Sequence, residues 1–479
     1  MSIKTNISYS VIFGMLNVLF PIVTVPYISR VLGAENVGVV RFVITCVSYF
    51  MLFAAFGIGY YGVREVAKYK NNQKKCSQIF SSLFTITLFS TLISTLIFLL
   101  CINLVSEFKE HRLLFSVYGI VLYTMPIASD WYFQAKENFK MIAIRSFIIN
   151  VLMLTLMFVF VRERSDVVPY ILLSVFVFAA TRTWNLSYAY KTGLRISLRN
   201  LEIRRHIKPM FVFLCLAVAV NAFAMIDVAM LGFLTSYSQV GYYTSASFII
   251  TAIVGCFGAI NTALLPRLSF NSAQKEDNTN VTLLQKTFNL NALLIVPLAV
   301  GLCLIASRFI PLFLGGEFMG SIVPMQILSF KVIVVVINSF FGFSVLMALG
   351  HEKRFLTVSA CAAMLSLALN YLLIPQYGAM GAAIVAVLVE GFAIGISLYF
   401  VYKYTQIRVR WNTVGIAMFF TLPLFALYYF CNKWLSHDVM FLCVFICLSI
   451  MVYFALLLLA KNDLAWEVVK IGRNKLRRN

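Results

Sequence analysis

Residues 167–208 read VVPYILLSVFVFAATRTWNLSYAYKTGLRISLRNLEIRRHIK and join an apolar segment to a basic one. The first part, 167–190, carries a single charge at Arg182, whereas the second part, 191–208, carries six basic residues and one acidic residue. A helix crosses the hydrocarbon core of a membrane with about twenty apolar residues, and Lys and Arg collect on its cytoplasmic side. The stretch therefore predicts a membrane span that ends at the cytoplasmic face.

The same pattern extends over the whole chain of 479 residues, of which 61% are hydrophobic and 12% charged. This apolar fraction exceeds what the core of a soluble protein holds. We therefore predict an all-α polytopic membrane protein of 14 transmembrane helices. The predicted segments are 6–29, 39–61, 79–105, 113–132, 141–161, 167–190, 209–234, 242–266, 287–306, 322–349, 355–374, 380–402, 413–430 and 439–460.

The basic residues fix the orientation of these segments. Of the 39 Lys and Arg, 28 fall in the termini and every second loop, 7 in the opposite loops and 4 inside segments, while the 18 acidic residues divide into 8, 7 and 3 in the same order. By the positive-inside rule both termini are predicted to be cytoplasmic. The net charge of +21 is then explained by contact with anionic inner-leaflet lipids, and no nucleic-acid partner is predicted. The ten cysteines and four histidines lack the spacing of a metal site or a disulfide framework, so no cofactor is predicted.

The basic stretch 191–208 also divides the chain. Leu194, Leu198 and Leu201 stand at helical spacing between its charges, which predicts an amphipathic helix on the inner leaflet. Matching turns flank the two sets of segments: Leu32-Gly33 and Val37-Gly38 in the first, Leu231-Gly232 and Val240-Gly241 in the second. We predict an N-lobe at 1–190, the linker at 191–208, a C-lobe at 209–402, and two further segments with a basic tail at 403–479. Parallel repeats are typical of alternating-access transporters.

Seven charged residues remain inside the predicted segments, where a charge is costly and usually marks a pathway or a site. They are Arg41, Arg145, Arg182, Lys331, Asp130, Asp227 and Glu390. Simpler interpretations stay open for several of them. Arg41 and Arg145 lie near a membrane face and can snorkel to the headgroups, Arg30 can cap a helix end, and Lys331 can pair with Glu390. Trp131 and Tyr132, beside Asp130, are typical interface anchors.

Several motifs, taken in order, resemble those of a known family. They are Ser29-Arg30-Val31-Leu32-Gly33, Gly57-Ile58-Gly59-Tyr60-Tyr61-Gly62-Val63-Arg64-Glu65, Asp130-Trp131-Tyr132-Phe133-Gln134 and Asn370-Tyr371-Leu372-Leu373-Ile374-Pro375. Together they resemble the Wzx-like polysaccharide and O-antigen flippases of the multidrug/oligosaccharidyl-lipid/polysaccharide (MOP) exporter superfamily. The resemblance implies two six-helix lobes in a V-shaped, MATE-like arrangement with a central cavity, plus two C-terminal helices.

The resemblance also implies a function. A non-enzymatic flippase of the bacterial cytoplasmic membrane would move undecaprenyl-diphosphate-linked oligosaccharide for O-antigen, capsule or exopolysaccharide assembly, beside a polysaccharide polymerase and a chain-length regulator. A cation-coupled drug exporter and a membrane polymerase or glycosyltransferase are the alternatives. The drug exporter would be expected to stop at twelve spans and to have an acidic cavity, and the enzyme needs a larger external loop than this chain has.

A diphosphate must be neutralised inside the membrane, and arginine suits this because its fork binds phosphate oxygens in pairs. The predicted substrate-binding residues are Arg30, Arg41, Arg145, Arg182 and Lys331. Coupling to H⁺ or Na⁺ is assigned to Asp227, Asn370 and Glu390, the first two by resemblance to a sodium-binding lipid II flippase. Ile374 stands where that relative has an acid, which argues against sodium.

Overall fold

The computed structural model describes the backbone of residues 3–273, 277–347, 349–405, 408–460 and 466. Side chains are described for 20–218, 225–258 except 256, 281–347 except 343, 349–460 except 352, 406 and 407, and Trp466. Over these residues the chain is helical without any β-strand, which confirms the predicted all-α class. Most of the predicted basic tail lies outside the described residues.

Two compact units, Met1–Gly241 and Tyr242–Asn479, divide the chain. The helices of the first unit are α1 (Ile3–Ala55), α2 (Ile58–Ala67), α3 (Gln73–Leu104), α4 (Ser106–Glu110), α5 (Arg112–Tyr123), α6 (Asp130–Ala135), α7 (Phe139–Phe160), α8 (Val167–Lys191) and α9 (Ile203–Leu234), with a 3₁₀ turn at Met125–Ile127. The division does not fall in the linker, because α9 packs on α1, α2 and α3. The lobes that we inferred from the repeat stay a prediction.

The second unit continues from α10 (Tyr237–Ala273), whose first five residues belong to the first unit. Its other helices are α11 (Asp277–Leu314), α12 (Ile322–Ser339), α13 (Glu352–Tyr404), α14 (Asn412–Thr421), α15 (Pro423–Trp434) and α16 (Asp438–Leu459). A 3₁₀ turn at Gly316–Ser321 precedes α12, and a π-helical stretch at Phe340–Met347 follows it. The predicted segment 413–430 is broken between α14 and α15, where Pro423 cannot donate a helical hydrogen bond.

Ten candidate membrane spans lie within the described residues. Two of them, Phe20–Ala67 and Lys353–Tyr404, have 48 and 52 residues, enough at about 1.5 Å per residue to cross a core of about 30 Å twice. Each is interrupted by a glycine with non-helical backbone angles, Gly33 (φ 78°, ψ 171°) and Gly378 (φ 52°, ψ −130°). With these two counted twice, and with α9 and α10 added, the described helices agree with the predicted fourteen crossings.

Helix α3 shows why this sequence folds in a membrane. Its buried face carries small polar residues such as Thr91 and Ser94, whereas Leu96 and Leu100 are exposed on the other face. A water-soluble helix has the opposite arrangement. A buried hydroxyl on this helix can bond within the helix, as that of Thr87 does to the Leu83 carbonyl (2.8 Å).

The linker is not the amphipathic helix that the leucine spacing predicted. The chain leaves α8 at a turn, passes 194–202 without helix, and becomes helical again at Ile203. Gly193 (φ 93°) and Asn200 (φ 57°) adopt left-handed backbone at its two ends. Backbone N–H groups of the linker donate instead to hydroxyls on α3: Arg195 to Ser77 (3.2 Å), Ser197 to Ser81 (3.0 Å) and Glu202 to Ser82 (3.0 Å). These serines replace the carbonyl acceptors that a helix would have supplied.

Two further predicted segments of the first unit are broken. In segment 39–61 the helix ends at Ala55, and Phe56 (φ 47°) and Gly57 (φ 75°) turn the chain before α2 begins. Segment 113–132 is divided by the 3₁₀ turn that contains Pro126. Hydropathy did not predict these breaks, because it measures how apolar a residue is and not which backbone angles it adopts.

The matched glycine turns of the sequence contact each other. A Cβ on Gly38 would lie 1.7 Å from the carbonyl oxygen of Tyr237, and a Cβ on Gly241 would lie 2.1 Å from that of Ala34. The chain after Gly33 and the start of α10 therefore approach backbone to backbone. The two matched turns of the sequence therefore also pack against each other inside the first unit.

Candidate functional site

A cavity of about 360 Å³ opens among the helices of the first unit, and we call it the Arg41 cavity. Helices α1, α5, α7 and α8 line it with Phe20, Pro21, Thr24, Arg41, Ile44, Tyr118, Asn150, Met153, Tyr170, Ser174, Val177 and Phe178. Its volume falls in the range of about 300–1,000 Å³ typical of ligand pockets. Among these lining residues Arg41 is the single charged one, so the cavity favours an anionic ligand.

Arg41 follows Gly33 by eight residues on the second half of α1 and is half-buried. None of the hydrogen bonds or ion pairs between described side chains engages its guanidinium group. The group has five N–H donors and stays charged in a protein. It is therefore available to an anion that enters the cavity, and binding of substrate by Arg41 stays a prediction.

Polar but uncharged side chains complete the lining. Tyr118, Asn150, Tyr170 and Ser174 bring hydroxyl and amide groups to the wall. Sequence reasoning missed all four. Asn150 had a detectable signal, since it is an amide in the stretch 149–161, where Thr155 is the only other polar residue. The chain has 23 tyrosines, and nothing local distinguishes these two.

Arg182 is buried beside the Arg41 cavity and binds protein groups. Its guanidinium donates to the Val121 carbonyl (2.6 Å) and hydrogen-bonds the Thr124 hydroxyl, with the Met125 sulfur at 3.1 Å. These groups lie where α5 ends, and the last carbonyls of a helix need donors and favour a cation. The guanidinium also lies 5.2 Å from the ring centroid of Phe178, which lines the cavity. Arg182 therefore stabilises the end of α5 and supports the cavity wall.

Arg145 does not snorkel to the headgroups, because its side chain is 4% exposed. It donates to the Asp130 carboxylate (2.7 Å), to Asn185 and to the Ser146 hydroxyl (3.1 Å). The ion pair joins α6 to α7, and Asn185 adds α8. Because a buried charge needs a partner and hydrogen bonds, this set is consistent with a structural tie, and binding of substrate by Arg145 stays a prediction.

The aromatic residues beside Asp130 are core residues and not the interface anchors that the sequence suggested. Trp131 and Tyr132 are buried, and Trp131 stacks on Phe80 with ring centroids 5.3 Å apart. The Trp131 indole N–H donates to the Ala128 carbonyl (2.9 Å). A Cβ on Gly62 would lie 2.5 Å from the same indole, which explains why the Tyr61-Gly62 pair has a glycine.

In the second unit, Glu390 on α13 has a different partner from the one considered. Its carboxylate accepts from the Asn338 amide (3.0 Å), whose oxygen accepts from the Ser397 hydroxyl (3.0 Å). Lys331 is half-buried on α12, and no ion pair joins these two described residues. The Lys331–Glu390 pair that the sequence suggested is therefore absent between these described residues.

The remaining predicted site residues lie on three helices of the two units. Arg30 is exposed on α1, and Asp227 is buried on α9 in the first unit. Asn370 is buried on α13 in the second unit, where its amide donates to the Ser366 hydroxyl (3.0 Å). Their roles in substrate binding and ion coupling stay predictions.

The second unit also contains an apolar groove of about 430 Å³, which we call the α11–α16 groove. It is lined by Leu290, Leu293, Leu294, Pro297, Leu298, Gly301, Leu302, Ile305, Leu424, Phe445, Ile446, Ser449, Ile450, Tyr453, Phe454 and Leu457. The Tyr453 hydroxyl donates to the Leu293 carbonyl (2.9 Å), so the one polar atom of this side chain has a hydrogen-bond partner. The groove suits a hydrocarbon chain.

Long apolar helices with a cationic cavity in one unit and an apolar groove in the other are the features of a multi-pass membrane transporter. The chain belongs to the polysaccharide biosynthesis protein family, whose profile matches residues 3–272. It is 25% identical over 407 residues to the "Putative O-antigen transporter" of Escherichia coli (strain K12), a match that covers 84% of this chain and 97% of the relative. The resemblance inferred from the sequence motifs is confirmed.

Solved structures show the same fold. The lipid II flippase MurJ, in an inward closed conformation, superposes with a TM-score of 0.79 at 13% identity and covers 96% of this chain and 99% of its own. An inward-facing multidrug resistance MATE family transporter of the MOP superfamily gives a TM-score of 0.61 at 16% identity, covering 84% of this chain and 95% of its own. The predicted MATE-like fold is confirmed.

Proposed function

We propose that this protein is a flippase that moves undecaprenyl-diphosphate-linked oligosaccharide across the bacterial cytoplasmic membrane by alternating access. The glycan would serve O-antigen, capsule or exopolysaccharide assembly. The observation that carries the proposal is the Arg41 cavity, an intramembrane pocket with a cation in its wall. The family and the O-antigen transporter relative support the same substrate class.

The cavity chemistry fits a diphosphate for a physical reason. A diphosphate headgroup carries negative charge into a medium of low dielectric constant, where desolvation is costly. The guanidinium of Arg41 offsets this cost with a charge-assisted, two-pronged hydrogen bond. The hydroxyl and amide groups of Tyr118, Asn150 and Tyr170 suit the neighbouring sugar, and we propose that they bind it.

The polyprenyl tail needs a different surface. The α11–α16 groove supports a tail-binding role, because its lining offers hydrocarbon contacts such as Pro297, Leu302 and Phe454. A small soluble drug would not need such a surface.

The charge of the cavity favours a flippase over the drug exporter. A carrier of cationic drugs needs an acidic binding pocket, whereas the described lining of the Arg41 cavity carries a cation and no acid. We also propose that the protein has no catalytic step, that both termini are cytoplasmic, and that a polysaccharide polymerase and a chain-length regulator act beside it.

Deletion of the gene in its own host tests the function. Loss of long-chain surface polysaccharide and accumulation of lipid-linked oligosaccharide are expected, and a plasmid copy is expected to restore both. Expression in a strain that lacks drug pumps is expected to leave dye sensitivity unchanged. Dye efflux without any effect on surface polysaccharide would instead support the exporter.

We further propose that Asp227, Asn370 and Glu390 couple transport to H⁺ or Na⁺. Glu390 supports this role, because a half-buried carboxylate that accepts from an amide can exchange a proton. In proteoliposomes, flipping is expected to respond to a pH or sodium gradient and to lose that response in Glu390→Gln. A variant with an unchanged response would remove Glu390 from the mechanism.

A further inference from the structure

A second polar cavity of the first unit, of about 370 Å³, lies between the start of α3 and the linker. We call it the linker cleft and define it by Lys74, Ser77 and Gln78 on α3 and by Arg195, Ser197 and Arg199 on the linker. The charge pattern of the sequence places this end of the unit on the cytoplasmic side. The function proposed above assigns no role to this cavity.

The described lining of the linker cleft carries three cations and no acid. The nearby Glu202 is neutralised by Lys75 (2.8 Å) and Arg205 (2.7 Å), and the hydrogen bond from Lys75 lowers the pKa of the Glu202 carboxyl below its usual value. Arg195 donates to the carbonyls of Tyr190 and Leu194, both at 3.1 Å. Neutral acceptors leave its charge intact, so the cleft attracts anions.

The linker cleft is held in shape before any ligand enters. The Arg195 and Ser197 backbone N–H groups donate to serine hydroxyls on α3, and the Gln78 side chain donates to the Asn200 carbonyl (3.0 Å). These bonds fix an irregular segment on a long helix. A fixed site loses less conformational entropy on binding than a mobile loop does.

The position of Leu198 indicates where the anion comes from. This side chain is 71% exposed between Ser197 and Arg199, in a segment that begins directly after the membrane span α8. Tyr190, at the end of that span, is also exposed. An apolar side chain among cations beside a span is typical of the bilayer interface, with the leucine in the acyl region and the cations at the phosphates.

We propose that the linker cleft binds the phosphate headgroup of an anionic phospholipid of the inner leaflet. Lys74, Arg195 and Arg199 bind the phosphate, the hydroxyl of Ser197 adds a hydrogen bond, and Leu198 contacts an acyl chain. Free phosphate has the same anionic chemistry but offers nothing to Leu198. The site is independent of the transported glycan, so it stands or falls separately from the flippase function.

The test measures thermal stability of the full chain in nonionic detergent during titration with phosphatidylglycerol, phosphatidylcholine or inorganic phosphate. Phosphatidylglycerol is expected to raise the melting temperature, and the other two are not. The variant Lys74→Gln/Arg195→Gln/Arg199→Gln is expected to weaken the apparent affinity for phosphatidylglycerol about tenfold or more, since each basic residue near an anionic surface contributes substantially. The three single variants repeat the measurement and are each expected to weaken it.

The same basic stretch offers a matched control. Lys191, Arg204 and Lys208 are exposed and lie outside the cleft lining, so Lys191→Gln/Arg204→Gln/Lys208→Gln removes an equal charge. This control is expected to change the affinity less than about twofold, and Leu198→Ser is expected to weaken it. An equal loss in both triple variants would mean that unspecific electrostatics binds the lipid. Stabilisation by inorganic phosphate that matches phosphatidylglycerol would mean a free-anion site, and either result overturns the proposal.

Discussion

Arg41→Ala is expected to reduce flipping at least about tenfold while the protein still inserts at normal levels. Arg41 is the charged side chain of its cavity, and a hydrogen bond to a charged group contributes about 1.5–3 kcal/mol, which corresponds to about ten- to a hundredfold. Because its guanidinium stabilises no described helix end or ion pair, its loss should affect transport more than folding. Surface polysaccharide, in a strain that lacks the chromosomal copy, measures the effect.

Two controls separate the charge from its geometry. Arg41→Lys keeps the charge but loses the fork that binds two phosphate oxygens, and an intermediate loss is expected. Arg204→Ala removes an exposed arginine from the basic stretch 191–208, and normal transport is expected. Normal flipping by a correctly inserted Arg41→Ala protein would show that the cavity is not the diphosphate site.

The class, the number of spans and the family followed from the sequence, because each depends on a property that accumulates along the chain. Segment length and loop charge need no knowledge of which helices are neighbours. The stretch 167–208 contains both signals. Its helix α8 matches the predicted 167–190 to within one residue at the C-terminal end, where Lys191 begins the basic residues.

The contacts of the charged residues did not follow from the sequence, because the partners are distant along the chain. Arg182 binds the Val121 carbonyl 61 residues away, and Arg145 binds Asn185 40 residues away. Arg41 and Arg182 are the same residue type in similar apolar surroundings, yet one faces a cavity and the other stabilises a helix end. The surroundings of each arginine depend on how α5 packs against α8. That packing does not follow from a single sequence.

The linker shows how a periodic pattern can mislead. Leu194 and Leu198 are four residues apart, as on one face of a helix, but Leu194 is buried in the core and Leu198 is exposed. The spacing of leucines within the linker carries no information about the serines on α3 that accept hydrogen bonds from the linker N–H groups. The conformation of such a short segment depends more on the residues that pack against it than on the spacing of its own leucines.

Gly38→Ala is expected to cause the largest loss of stability of any single methyl addition in the first unit. The added Cβ would lie 1.7 Å from the Tyr237 carbonyl oxygen and 2.9 Å from the Gly241 backbone nitrogen. Both are backbone atoms, so α1 and the start of α10 must separate, and overpacking that moves backbone costs about 1–3 kcal/mol or more. A lower melting temperature in detergent and a smaller inserted fraction are expected.

Gly59→Ala is the matched control for this substitution. Gly59 lies in α2, and a Cβ there meets nothing within 4 Å. Replacing a helical glycine by alanine at an open position is expected to be neutral or to stabilise by up to about 1 kcal/mol. Gly241→Ala, on the other side of the contact, should behave as Gly38→Ala does, because its Cβ would lie 2.1 Å from the Ala34 carbonyl oxygen. If the Gly38→Ala and Gly59→Ala proteins melt at the same temperature, the two matched turns do not approach backbone to backbone in the folded protein.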